Sequence, residues 1–135
     1  MVEAAPDFGP LDPWVDNLAN LVQVMTGPNL TIDATLHELF TTFPARLGGT
    51  GWPDGALVVP SFPGWELLPR YTASVDAALK LVPRGWQGVV HLDEENHVGL
   101  FKLHDPRSHV SAEAFNLPLS IVLACLRAKN KEGAA

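Results

Sequence analysis

The sequence predicts a single α+β domain in which a small antiparallel β-sheet packs between helices, with a helical hairpin at the N-terminus. Apolar residues recur at helical spacing in two stretches before residue 43 and in one stretch after residue 117. Two strand-like runs, 86–92 and 97–103, flank a short polar turn and predict an antiparallel hairpin. The length of 135 residues fits one domain with its own hydrophobic core.

We expect the folded domain to span residues 11–130, with a loose N-terminal tail at 1–10 and a short C-terminal tail at 131–135. Ten of the 27 residues in 44–70 are proline or glycine, so this segment is predicted to be a long connector with a short strand at 56–59. Its apolar side chains require burial, which indicates a connector held against the body of the domain. Both a structural role and a binding role for the connector stay open.

The two N-terminal helices carry clear start signals. Asp12 is a good N-cap with Pro13 in the first turn, and a Thr-Gly-Pro sequence ends the first helix. The second helix is predicted at about 30–42, capped by Asn29 or Thr31. The tight Gly-Pro turn between the two helices predicts a helical hairpin.

The C-terminal half has a more regular pattern. Thr72 or Ser74 caps a short helix that Pro83 ends. After the predicted β-hairpin, residues 104–116 return as a loop or as a third short strand. A last helix starts at 116–118 and carries basic residues near its C-terminus, where positive charge suits the helix dipole.

The net charge of -6 excludes a nucleic-acid-binding protein that works by neutralising phosphates. All of this charge belongs to residues 1–70, which form either a solvated acidic face or a docking surface for a basic partner. The single cysteine, Cys125, excludes an internal disulfide framework and is predicted to be a buried core residue. The sequence shows neither a signal peptide nor a membrane-spanning stretch, so we expect a cytoplasmic protein.

One segment carries a family resemblance. Residues 68–86, with the sequence LPRYTASVDAALKLVPRGW, resemble the core of a family of small phage and prophage proteins that carry a PRYTASxDAALxLVPxGW-like segment. The helices within 21–40 and the closing helix around 120–128 are similar to those of the same family. The resemblance implies a phage α-β-α sandwich domain and an accessory role in the phage. It implies no catalytic or ligand-binding residue, and 44–66 departs from the family pattern.

No pattern in the sequence predicts catalytic residues or a cofactor. The glycine-rich run Gly48–Gly51 lacks the lysine and serine of a phosphate-binding loop. A metal site is a separate hypothesis, because His91 and His97 flank the predicted turn and face each other across it, close to its acidic residues. A small metal-dependent enzyme that uses the His91–His109 cluster is therefore an alternative.

Binding is the function class that the remaining residues favour. Polar and aromatic side chains near the ends of elements suit a pocket for an anionic small molecule or a surface for a partner's loop. The candidate binding residues are Arg70, Tyr71, Arg84, Trp86 and Lys102, together with Trp52 and Trp65 of the connector. Packing in the core is the alternative role for Trp86.

The expected function is that of a small non-enzymatic phage or prophage protein that acts by binding, foremost as a counter-defence inhibitor of a host protein. The alternatives are a sponge for an anionic small molecule such as a nucleotide signal, a virion structural or assembly component, and the metal-dependent enzyme. The expected partner is a host protein or a small anionic ligand, with no direct binding of nucleic acid or membrane. Self-association stays open.

Overall fold

The computed structural model describes residues 13–61, 64–91, 96–102 and 105–134. Within them the chain forms four helices and two antiparallel three-stranded sheets, which confirms the predicted α+β class. The helices are α1 (Pro13–Val24), α2 (Leu30–Thr41), α3 (Val75–Leu79) and α4 (Leu117–Ala134). The strands are β1 (Arg46–Leu47), β2 (Leu57–Ser61), β3 (Gly64–Leu67), β4 (Trp86–His91), β5 (His97–Lys102) and β6 (Asp105–Glu113).

The last helix, α4, forms the centre of the core. Every residue from Leu119 to Leu126 is at most 1% exposed. A helix that is apolar all round is buried on all sides, and α4 accordingly packs against α1 and α3 as well as against β5 and β6. The buried hydroxyl of Ser120 is satisfied, because it donates to the carbonyl of Asn116 and accepts from the amide of Ala114. No helix in the described ranges is long and apolar enough to cross a membrane.

The strands β4, β5 and β6 form an antiparallel meander that contains the predicted hairpin. Of the two possibilities for residues 104–116, the structure shows the strand, and β6 is nine residues long. Val98 and Leu100 of β5 are each 2% exposed and belong to the core, whereas Phe101 on the opposite face is partly exposed. The sheet thus presents its apolar face to α4.

The N-terminal helices begin where the sequence predicts. The first residue of α1 is Pro13, while its predicted cap Asp12 and the predicted tail 1–10 lie outside the described residues. At the start of α2, the side chain of Asn29 accepts a hydrogen bond from the amide of Ile32 at 3.0 Å. Of the two candidate caps, the asparagine is therefore the one used.

The short helix α3 is capped by Ser74, whose side chain accepts from the amide of Ala77 at 3.2 Å. Thr72, the other candidate, has a different role: its hydroxyl is buried and accepts a hydrogen bond from the amide of Asn29 at 2.9 Å. After α3, Gly85 adopts a φ of 89°, a left-handed conformation that turns the chain into β4 and that glycine takes without strain.

The proline- and glycine-rich connector folds into a second sheet that the sequence predicts only in part. The predicted strand at 56–59 corresponds to β2, and β1 and β3 pair with its two edges. Val58 and Val59 point to opposite faces of β2 and are both buried, whereas all four residues of β3 are exposed. Because β1 has two residues and β3 is exposed, neither strand carries an apolar alternation long enough to reveal it.

Candidate functional site

A fully buried carboxylate joins α2 to the segment that precedes α3. Oδ1 of Asp33 accepts hydrogen bonds from the amide of Thr72 at 2.8 Å and from its hydroxyl at 2.7 Å. The other oxygen, Oδ2, accepts from Nε of Arg70 at 3.2 Å. A charge is tolerated in a protein interior only when it is paired and hydrogen-bonded. This network therefore fixes residues 70–72 against the first turn of α2.

One helical turn further along α2, His37 meets Tyr71. Nδ1 of the imidazole lies 2.7 Å from the phenol oxygen, and both side chains are buried. Burial lowers the pKa of His37, an effect that the charge of Glu66 partly opposes, so the imidazole is neutral at pH 7. Burial also raises the pKa of Tyr71 to about 12, with smaller contributions from the charges of Glu66 and Asp33. The phenol therefore stays protonated.

His37 and Tyr71 line a cleft of about 370 Å³ between α2, β3 and the turn after α3. His37 lines the cleft, and its Nε2 has no hydrogen-bond partner among the described residues. The volume lies in the range of roughly 300–1,000 Å³ that is usual for small-molecule sites. The apolar wall is formed by Phe40, Pro69, Leu81, Val82 and Pro83.

Three charged side chains surround this cleft. Lys80 and Arg84 are exposed at the end of α3 and in the turn after it, and Glu66 is exposed on β3. Within the part of the chain that the structure describes, none of the three forms an ion pair. The cleft thus presents two cations and one carboxylate that form no ion pair with any other described residue.

The structure brings together two of the predicted binding residues, Tyr71 and Arg84, which line the same cleft. Arg70 is the neighbour of Tyr71, but its guanidinium is used by the buried carboxylate of Asp33. Trp86 is 6% exposed and belongs to the core, and Nζ of Lys102 lies 5.9 Å from the centre of its ring. Neither Trp86 nor Lys102 lines the cleft, although the amide of Trp86 donates to the carbonyl of Pro83 at 3.1 Å.

The two connector tryptophans have different surroundings. Trp52 packs against Gly48 so closely that a Cβ at that glycine would come within 2.7 Å of the tryptophan side chain. Trp65 is 43% exposed on β3, and the guanidinium of Arg46 lies 4.0 Å from the centre of its ring. Only Trp65 presents a large exposed surface.

The metal hypothesis for His91 and His97 stays a prediction. The register pairs His91 with His97, but the side chain of His91, the acidic turn 92–95 and His104 lie outside the described residues. Among the residues that are described, no group of three or more histidine, cysteine, aspartate or glutamate side chains could hold a metal ion.

Cys125 is a buried core residue as predicted, and burial raises the pKa of its thiol to about 12.

Sequence reasoning missed four residues of this region: Asp33, His37, Glu66 and Lys80. A signal for the first two is present, because Asp33 and His37 lie four residues apart on α2 and interrupt the apolar stripe of the helix. Both are buried beside the apolar residues of that stripe. Neither Glu66 nor Lys80 has a comparable local signal, because exposed charges are ordinary surface residues.

No protein-family model, curated protein or solved structure matches this chain. The predicted resemblance to phage proteins therefore stays a prediction. The cleft and the exposed sheet face around Trp65 are the two surfaces of the described residues that suit binding.

Replacing Asp33 with alanine is expected to lower the free energy of unfolding by about 3 kcal/mol, because the buried amide and hydroxyl of Thr72 lose their acceptor. Chemical denaturation of the purified protein measures this change. The matched control is Glu38→Ala on the exposed side of the same helix, which should change the stability by less than about 0.5 kcal/mol. Equal losses for the two variants would contradict the role of the network.

Tyr71 is the only tyrosine of the chain, so the ultraviolet absorbance of tyrosinate reports on it alone. We expect a titration midpoint near pH 12 in the native protein and near pH 10 after unfolding. Because the folded-state pKa is raised, the stability contributed by Tyr71 is complete below pH 10 and is lost as the pH rises towards 12. A native midpoint near pH 10 would show that the phenol is not held in the buried pair.

Proposed function

We propose that this protein binds a small anionic organic molecule in the cleft between α2, β3 and the turn after α3. The proposal rests on Lys80 and Arg84, two exposed cations without ion-pair partners among the described residues, beside an apolar wall. A concave apolar site with a few convergent polar groups is the usual form of a small-molecule site. Arg84 suits an anion through its planar fork of donors, and Lys80 through its compact charge.

The polar groups of the cleft support binding over nucleophilic catalysis. With a pKa of about 12, Tyr71 remains a phenol at neutral pH and acts as a hydrogen-bonding group. The neutral imidazole of His37 offers Nε2 as one further donor or acceptor. On a protein with a net charge of -6, two neighbouring cations also give an anion a local site of attraction. Sequestration of an anionic signal is the biological role that we propose.

Calorimetric titration with a panel of nucleotides and aromatic carboxylates should identify at least one ligand. Arg84→Ala and Lys80→Ala should each weaken its binding by about tenfold or more, since a charge-assisted hydrogen bond is lost. Arg46→Ala is the control, because Arg46 is an exposed arginine that does not line the cleft. Unchanged affinity in both cleft variants, or no binding across the panel, would refute the proposal.

A second candidate function, docking to a partner protein, is supported by an exposed face of the β1–β3 sheet. The register places Trp65 opposite Pro60 and Leu67 opposite Val58 on this face, and of these four residues only Val58 is buried. Trp65 and Leu67 are 43% and 52% exposed, and Arg46 stacks on the tryptophan ring. Tryptophan and arginine are frequent anchors of protein interfaces. We propose this face as the contact for the host protein that a counter-defence inhibitor would bind.

If this face binds a partner, Trp65→Ala should reduce the amount of that partner captured from a host lysate by about tenfold or more. Quantitative mass spectrometry of the captured proteins measures the loss. Phe115→Ala is the matched control, because Phe115 is an exposed aromatic residue outside the β1–β3 sheet. A partner captured equally by the wild type and by Trp65→Ala binds elsewhere, and this second proposal then fails.

A further inference from the structure

We infer that the ligand of the cleft is a mononucleotide whose base carries an exocyclic amino group, with the phosphate at Lys80 and Arg84 and the amino group at Glu66. This inference rests on the proposed anion-binding function and adds the class of ligand. The supporting observation is that two cations, Lys80 and Arg84, and one carboxylate, Glu66, line one apolar cleft.

The first observation is that charges of both signs line the cleft without neutralising each other. Glu66 forms no ion pair with Lys80 or Arg84 within the described residues, although all three line the same cleft. An anion satisfies the two cations but makes no hydrogen bond to the carboxylate. A ligand that carries both an anionic group and a hydrogen-bond donor satisfies all three side chains.

The second observation concerns the position of Glu66. Glu66 lines the same cleft as His37 and Tyr71. Its charge opposes the lowering of the pKa of His37 by burial and adds to the raising of the pKa of Tyr71, which agrees with a carboxylate close to both groups. An ionised carboxylate only accepts hydrogen bonds. The exocyclic amino groups of nucleobases are hydrogen-bond donors, and glutamate and aspartate recognise that of cytosine in this way. Nε2 of His37 adds a polar contact for a ring nitrogen or a carbonyl of the base.

The third observation is the shape of the apolar wall. Phe40, Leu81 and Val82, with two proline rings, offer an apolar surface on which a planar base can lie. A volume of about 370 Å³ lies near the lower end of the range of small-molecule sites, which favours a single nucleotide over a dinucleotide. In such a nucleotide the planar base separates the phosphate from the amino group. This separation suits the cleft, because the two cations and the carboxylate lie on different elements.

The inference is tested by matched nucleotide pairs in calorimetric titrations of the full chain. Adenosine 5′-monophosphate should bind about tenfold more tightly than inosine 5′-monophosphate, or cytidine 5′-monophosphate about tenfold more tightly than uridine 5′-monophosphate. In each pair, the weaker ligand has a carbonyl oxygen in place of the amino group and meets Glu66 as a second acceptor. The corresponding nucleoside, which lacks the phosphate, should bind at least about tenfold more weakly than its monophosphate.

Two variants test the contacts to the amino group and to the phosphate of the ligand separately. Glu66→Gln should remove the preference for the amino-bearing base, because an amide can present either its oxygen or its NH₂ group. The same variant should keep the preference for the phosphate. Arg84→Ala should have the opposite effect, with a smaller advantage of nucleotide over nucleoside and an intact preference for the amino group. Glu66 is exposed, so its replacement should leave the fold intact, and an unchanged midpoint of chemical denaturation verifies this.

The outcomes distinguish this inference from the proposed function. Equal affinity within both nucleotide pairs overturns the inference, as does an aromatic carboxylate that binds more tightly than every nucleotide. In both cases the cleft still binds an anion, and the proposed function stands. If no phosphate or carboxylate binds, the inference and the proposed function both fail.

Discussion

The carboxylate of Asp33 is removed from water, and its three hydrogen bonds all come from one short segment, Arg70 to Thr72. This constraint determines the course of the chain between the second sheet and α3. With Thr72 held at the start of α2, Tyr71 reaches His37 one turn further along the helix. The position of Tyr71 in the cleft therefore depends on the buried carboxylate of Asp33. That carboxylate is stable in the interior only because its hydrogen bonds are made.

The connector, residues 44–70, forms a sheet with a fixed position in the fold. Its proline and glycine content is typical of a loop, yet its pairing into β1, β2 and β3 gives it a defined position. One face of this sheet carries the exposed Trp65, and the neighbouring residue, Glu66, points to the opposite face because side chains alternate along a strand. A single four-residue strand thus contributes to both candidate binding surfaces.

The acidity of the N-terminal half also has more than one role. Asp33 is buried and paired with Arg70, so it does not belong to a docking face for a basic partner, whereas Glu66 is exposed and lies at the cleft. Asp16, Glu38 and Asp54 are exposed, on α1, on α2 and in the connector respectively. Charge counted along the sequence does not separate a structural carboxylate from a solvated one, because that distinction depends on burial.

Helix caps, apolar periodicity and strand-like runs predict the class of the fold, the last helix and two candidate caps each for α2 and α3, because these signals act over a few neighbouring residues. The structure decides between the candidate caps in favour of Asn29 and Ser74. Tyr71 and Arg84 were also identified from the sequence, as polar residues at element ends. The tertiary structure alone decided that they share a cleft with His37, Glu66 and Lys80. The pairing of Asp33 with Thr72 spans 39 positions and that of His37 with Tyr71 spans 34, and such contacts leave no local pattern in the sequence.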